Sequence, residues 1–294
     1  MPTSPTLNDI LGRALVEHWA LPHFNISDLT MLRGLCNGAR DCKSPLLIGT
    51  SEGEADFIGR RQAVALIAAF REEYGFPIYL NADHHRSLAT AKAAIDAGYD
   101  SVHIDLSKLS LDENIATTRE VVAYARAKNS TISVEGEVGY LVTESSKVYK
   151  DVVEVPVESL ARVDDCARFV RETKVDRLAP AVGTLHGIAA NVPKIDIDRI
   201  AAIRAALPVE AMVLHGGSGS TDADIVASVA AGITNVHVST ELRVAYTNAV
   251  RAYLTANPDE STPYKILHAG QAAIAIAAAE KIRLFGAENR TPST

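Results

Sequence analysis

Short apolar runs alternate with longer amphipathic stretches from one end of the chain to the other. Eight of the short runs predict strands, over 23–26, 45–50, 77–83, 101–105, 131–138, 177–182, 211–216 and 235–240. Most are near-continuous Val, Ile and Leu rather than apolar–polar alternations, as expected of parallel strands covered on both faces. The stretches between them predict helices over 28–41, 60–74, 88–97, 111–127, 157–173, 197–207, 222–231 and 241–256. An extra N-terminal helix over 7–19 and a C-terminal helical extension over 263–284 complete the pattern. Ser27 and Asp28 stand where a cap and a dipole-matched acid should open the first of the eight helices. Gly98 and Gly232 stand where left-handed residues should end two others. Eight strand–helix units with no Pro/Gly/Ser-rich linker predict an α/β chain built as a single (β/α)8 TIM barrel over 1–294. A doubly wound open sheet is the alternative, but it calls for a Gly-rich first βα turn, and Phe24-Asn25-Ile26-Ser27 is not one.

In such a barrel function gathers at the C-terminal ends of the strands. There the chain carries Asn25 and Ser27, Thr50 and Ser51, Asp83-His84-His85, Asp105 and Ser107, Glu135 and Glu137, Gly183 to Gly187, His215 to Gly219, and His237 to Thr240. Five of the nine histidines, at positions 84, 85, 186, 215 and 237, fall on this one rim. Neutral imidazoles suit Zn2+, and three protein ligands leave a position open for substrate. His84, His186 and His215, from strands three, six and seven, have room between them for such an ion. The glycines after strand seven let backbone N–H groups approach an anion, and Ser239-Thr240 leads into a helix N-terminus, where barrels often bind phosphate. No predicted strand ends in Lys, and Lys108, Lys147 and Lys150 fall in loops, so Schiff-base chemistry is disfavoured against metal Lewis-acid chemistry.

Composition narrows the setting. With 29 Lys and Arg against 36 Asp and Glu, the net charge is −7, and an acidic chain gains nothing from the phosphate-backbone term of nucleic-acid binding. The most apolar stretch, Ala272 to Ala279, is far short of a membrane span. Cys36, Cys42 and Cys166 have no metal-ligand spacing and form an odd set, as in a reducing cytoplasm. The first residues lack the basic and apolar regions of a signal peptide. No nucleic-acid or membrane partner is therefore expected.

Over nearly its whole length the sequence resembles the class II, zinc-dependent ketose-bisphosphate aldolases, especially the fructose- and tagatose-bisphosphate branch. The resemblance is carried by Phe24-Asn25-Ile26, Gly49-Thr50-Ser51, Asp83-His84-His85, Asp96-Ala97-Gly98, Ile104-Asp105, Glu113-Asn114-Ile115, Ala181 to Gly187, Pro193 to Asp196, Leu214 to Gly219 and Lys281 to Gly286. It implies Zn2+ held by His84, His186 and His215, with Glu137 an alternative ligand. It implies Asp83 as the acid/base at the aldehyde-derived oxygen. Asn25, Ser51, Gly187, Gly216, Gly217, Ser218 and the run His237, Val238, Ser239, Thr240 would then hold dihydroxyacetone phosphate, with a monovalent cation (Na+ or K+) beside its phosphate. The implied reaction passes through an enediolate of that donor. The family also implies a homodimer or homotetramer.

Four positions depart from the family pattern. The loop after strand five reads Glu137-Val138-Gly139-Tyr140-Leu141-Val142-Thr143-Glu144-Ser145-Ser146, without the family's double glycine; an acid used in donor deprotonation has become Ser, leaving Glu144 as the substitute. A strand-eight Asn is His237. The Asp-Gly-Ser after strand four is Asp105-Leu106-Ser107. The late Asp-Pro-Arg and a nearby Arg that grip the aldehyde's phosphate correspond to Thr262-Pro263-Tyr264 and His268. Histidine cannot reproduce the donor fork of a guanidinium, so the expected aldehyde is not the usual triose phosphate. Alternatives are a relative acting on another carbon–carbon bond, a non-catalytic barrel that binds a sugar phosphate or supports a partner subunit, and a metal-dependent hydrolase. Retention of three histidines and Asp83 weighs against the non-catalytic barrel, and the Gly216-Gly217-Ser218-Gly219 phosphate site, which a hydrolase would leave unexplained, weighs against the last.

Overall fold

The computed structural model describes residues 5–143, 147–192, 194–207 and 210–292. Its core is a closed barrel of eight parallel strands in chain order: β1 (Leu21–Asn25), β2 (Leu46–Ser51), β3 (Ile78–His85), β4 (Ser101–Ile104), β5 (Ser133–Val138), β6 (Arg177–Pro180), β7 (Ala211–Leu214) and β8 (Asn235–His237). Around it run α1 (Leu7–Glu17), α2 (Leu29–Asp41), α3 (Glu52–Ile58), α4 (Arg60–Tyr74), α5 (Leu88–Ala97), α6 (Leu111–Lys128), α7 (Val163–Thr173), α8 (Ile197–Ala206), α9 (Asp222–Ala230), α10 (Thr240–Ala256) and α11 (Pro263–Leu284). The expected eightfold barrel with a helix at each end is present.

Local differences have local causes. Asp28 itself caps α2, its side chain accepting from the Met31 amide, while Ser27 turns inward and donates to Glu54 at 3.2 Å. The stretch expected as one helix over 157–173 divides into a 3-10 turn, Val157–Ser159, and α7. Leu160 is extended, and the Ala161 amide instead donates to the Ala181 carbonyl. Helix α3, absent from the sequence expectation, is started by a capping box between Ser51 and Glu54.

The strands are buried on both faces, but by different chemistry. Phe24, Ile48, Leu80, Val102, Val134, Leu178, Leu214 and Val236 belong to the apolar layer under the helices. The alternate positions face the axis and are largely polar: His23 and Asn25, Asn81 and Asp83, Ser101 and His103, Ser133, Glu135 and Glu137, Arg177, and Asn235 and His237 are all buried. Register sets His103, Glu135 and Arg177 side by side across β4, β5 and β6, and His23 beside His237 across β1 and β8. Gly49 makes room for this filling, since a Cβ there would meet His23 Cε1 at 2.4 Å.

Candidate active site

Successive residues of a strand face opposite sides, yet Asp83 and His84 both reach the barrel mouth. The pairing of β3 with β4 shifts between Ala82 and His85, and His84 takes the left-handed backbone, φ +49°. This irregularity re-aims the His84 ring, as bulges beside active sites do. His84 then meets His186 and His215, with ring centroids 4.7 and 4.6 Å from its own, and those two lie 6.0 Å apart. The three imidazoles expected to converge do so.

Two of the three rings are held from behind by carboxylates. His84 Nδ1 lies 2.9 Å from Asp105 Oδ2, and Ser107 Oγ donates to the other Asp105 oxygen at 2.7 Å. His215 Nε2 lies 2.6 Å from Glu135 Oε1. Thr143 Oγ1 donates to the His186 carbonyl at 2.8 Å, and His186 Nε2 is buried with no partner. Carboxylate-backed imidazoles with the other nitrogen turned to a common centre are the usual arrangement of metal-ligating histidines. His103 was not anticipated. Donor atoms of Asp83, His84, His103 and His215 fall within 4.8 Å of one another, a group that does not include His186. Glu137 Oε2 lies 3.4 Å from His103 Nε2 and 3.9 Å from His84 Nδ1. The donor set, its burial and the unpartnered His186 nitrogen fit a divalent ion.

Burial lowers the pKa of His186 to about 3, with the neighbouring His84 adding to the effect. Burial, then His237, hold His215 far below its ordinary value. For His84 burial pulls downward, but the Asp83 and Asp105 carboxylates outweigh it and leave the pKa raised. Asp83 is pushed upward by burial, yet the neighbouring His84 and then His103 hold it well below the carboxylate range. Its Oδ2 accepts from Asn25 Nδ2 at 3.0 Å, and its Oδ1 has no hydrogen-bond partner. Glu137 is raised by burial and by Asp105.

A cavity at the mouth is lined by Asn25, Asp83, His84, His186, Gly187, His215, Gly216, Ser218, His237, Ser239, Thr240 and Arg243. It gathers most of the residues expected to bind substrate, and no Lys lines it among the described residues. Gly216 takes φ +67°, and a Cβ there would meet the Leu185 carbonyl oxygen at 2.3 Å. The Gly217 amide is already committed to the His237 carbonyl at 3.2 Å. Val238 packs into the apolar core. Ser51 caps α3 through Glu54. His268 is exposed on α11 and outside the cavity lining. Of the five rim histidines, His85 is buried but does not line the cavity, having Thr90, Glu52 and Arg60 as neighbours. Glu144 lies outside the described residues.

His23, His103, Arg177 and Arg243 are additions to the expected set. Arg177 opens β6 at its N-terminal end, away from the mouth, and His23 and His103 lie within strands. Their signal is the period-two spacing of Ser101, His103 and Asp105, or of His23 and Asn25, which marks one face of a strand. Arg243 lies one turn into α10, its guanidinium paired with Glu54 through Nη2 and its Nη1 buried without a partner.

A TIM barrel whose mouth holds convergent, carboxylate-backed histidines and an acid with one uncommitted oxygen defines a metal-assisted enzyme class. The family model described as "Fructose-bisphosphate aldolase class-II" matches residues 5–290, and the chain belongs to that family. It is an aldolase, a carbon–carbon lyase. It is 35% identical over 293 residues to a 6-phospho-5-dehydro-2-deoxy-D-gluconate aldolase of Shouchella clausii, covering 99% of this chain and 96% of that one. It is 33% identical over 288 residues to a fructose-bisphosphate aldolase of Geobacillus stearothermophilus, covering 97% and 98%. The crystal structure of the YdjI aldolase from Escherichia coli K12 superposes with a TM-score of 0.82 at 28% identity, covering 97% and 98%. Among the described residues no helix is long and apolar enough to cross a membrane.

Proposed function

We propose that this aldolase is metal-dependent and makes or breaks a bond in a ketose phosphate that carries a single phosphate group. The carrying observation is the convergence of His84, His186 and His215 beside Asp83. These three histidines would hold Zn2+, with Glu137 within reach as an alternative ligand. When bound, the ion supplies Lewis acidity toward the ketone end of a donor such as dihydroxyacetone phosphate.

The chain's own residues do the rest. Asn25 orients Asp83 through Oδ2, leaving Oδ1 to take or return the proton of the aldehyde-derived hydroxyl. His237 Nδ1, 3.4 Å from that Oδ1 and unpartnered, adds a second acceptor for a substrate hydroxyl. The phosphate belongs at the start of α10, where Ser239 makes no cap and its Oγ is buried without a partner. Ser218, Thr240 and the backbone of Gly187 and Gly216 complete that cradle, beside which the family resemblance puts Na+ or K+. Gly217, with its amide engaged, contributes shape rather than a donor. The protein works as a cytoplasmic homodimer or homotetramer, a state that sedimentation would check.

The aldehyde half lacks the late guanidinium, since Tyr264 and His268 stand in its place. Arg243 offers the site a half-neutralised guanidinium, suited to one negative charge rather than two. One relative's substrate name, 6-phospho-5-dehydro-2-deoxy-D-gluconate, describes a compound with one phosphate and one carboxylate. Release of dihydroxyacetone phosphate from a ketose 1-phosphate and from the matching bisphosphate tests the reading. We expect release to stop with a chelator and to favour the monophosphate. Release insensitive to the chelator would refute the metal, and a strong bisphosphate preference would refute the aldehyde assignment.

A further inference from the structure

Arg177 is fully buried at the barrel axis, below the cavity and outside its lining. A guanidinium there must be matched by acceptors, because an unpaired charge cannot remain in a closed barrel. Its Nη1 lies 2.7 Å from Glu135 Oε2 as an ion pair and donates to Asn235 Oδ1 at 3.2 Å. Its Nη2 donates to Asn81 Oδ1 at 3.0 Å and to Ser101 Oγ. Glu135, Asn235 and Asn81 each also touch an imidazole.

The direction of these bonds fixes where protons sit on the imidazoles above. Asn235 gives its Nδ2 to the Leu21 carbonyl at 2.8 Å, so the oxygen facing Arg177 also faces His237 Nε2, 3.2 Å away. An amide oxygen accepts only, so His237 carries its hydrogen on Nε2 and turns an open Nδ1 toward Asp83. Glu135, held by Arg177, presents Oε1 to His215 Nε2 at 2.6 Å. That nitrogen carries the hydrogen too, and His215 turns an open Nδ1 to the centre. Asn81 has its oxygen toward Arg177 and Ser101 and therefore its Nδ2 toward His23 Nε2, 3.2 Å away. His23 accepts there and stacks on His237, ring centroids 3.5 Å apart at 12°.

We propose that Arg177 is a positioning residue of the active site: from beneath, through Glu135 and Asn235, one guanidinium sets the tautomers of His215 and His237. The hydrogen-bond order is independent of any ion, whereas its purpose, an open His215 nitrogen for a metal, rests on the function proposed above. The work needs a fork of donors on several acceptors, which an ammonium group lacks.

The decisive measurement is a long-range 1H–15N spectrum of histidine-labelled, metal-free protein at neutral pH. In the wild type His215 and His237 should both bear the proton on Nε2; an Nδ1–H tautomer on either overturns the proposal. Arg177→Met should blur both tautomers and weaken Zn2+ binding by roughly 10–100-fold in chelator competition. Arg177→Lys should keep the His215 tautomer, since Glu135 retains a cation, and lose that of His237. Unchanged tautomers in a folded Arg177 variant overturn the proposal, and Arg177→Lys serves where the Met variant does not fold. Failure of the wild type to bind Zn2+ with both Nε2–H tautomers present would sink the metal reading and leave the positioning order intact.

Discussion

Asp83 differs from Asp105 and Glu135 by what it leaves undone. Asp105 is engaged by His84 and Ser107 and Glu135 by His215 and Arg177, whereas Asp83 keeps Oδ1 free of hydrogen bonds. Asp83→Asn retains the Asn25 contact region and the shape of the site but cannot exchange a proton. Its kcat should fall by about 10²–10⁴-fold, the range for lost general acid–base catalysis, with KM and bound metal nearly unchanged. Steady-state cleavage assays with metal analysis check this, and loss of metal in parallel with activity would instead make Asp83 a ligand support. Asp83, His84, His186 and His215 were legible in the sequence because they stand at or just beyond strand ends. His23 and His103 were not, because apolar residues flank each of them, and Arg177 was not, because it opens β6 at the end away from the mouth. A run such as Ser101-Val102-His103-Ile104-Asp105 reads as a core strand until the period of two is applied, and then its second face is entirely polar.

Helix α11 lies across α2 on small residues, a contact that the sequence signalled only as an extra helix. A Cβ at Gly38 would meet the Ala275 carbonyl oxygen at 2.6 Å, and one at Gly34 would meet Ile274 Cγ2 at 2.4 Å. Gly→Ala within a helix ordinarily stabilises by about 0.5–1 kcal/mol. Here overpacking against backbone, of order 1–3 kcal/mol, should win, so Gly38→Ala lowers the melting temperature; an unchanged or higher one would mean that the helices part without cost. Helix α10 is tied to the start of α2 by Tyr246, whose hydroxyl donates to Asp28 Oδ2 at 3.1 Å. Burial and then the Asp28 carboxylate raise this phenol to about 12. A raised folded pKa means stability that is complete below the ordinary value, about 10, and is lost as pH climbs from there through the folded value. The wild type should lose stability over that alkaline window more steeply than Tyr246→Phe, as urea midpoints at pH 9 and 11 would reveal. Equal slopes would remove Tyr246 from the effect. Boundaries such as 60–74, 88–97 and 263–284 coincide with α4, α5 and α11 because hydrophobic period and punctuation agree there. The break at Leu160 was hidden because it depends on a bond to Ala181, which no local pattern announces.

At the scale of the whole molecule, the barrel interior is the unusual feature. Barrels of this kind commonly fill their axis with branched apolar side chains in layers, and here, among the described residues, six imidazoles, four carboxylates and two guanidinium groups occupy the axis and its mouth. Such an interior contributes little hydrophobic stabilisation, so the outer layer between strands and helices must carry the fold without an ion. The metal-free protein should therefore stay folded but melt earlier than the loaded one. Binding confined to the folded state stabilises by about 4 kcal/mol when the free ion is about 1,000-fold above its dissociation constant. The shift should depend on His186, whose ring faces the centre with Nε2 unpartnered. His186→Ala removes a ligand while disturbing little else, so its melting temperature should match that of the chelated wild type and barely respond to Zn2+. Differential scanning calorimetry of both proteins, each with chelator and with Zn2+, separates the possibilities. A full metal-dependent shift retained in His186→Ala would move the ion away from the three-histidine centre and toward the group of Asp83, His84, His103 and His215.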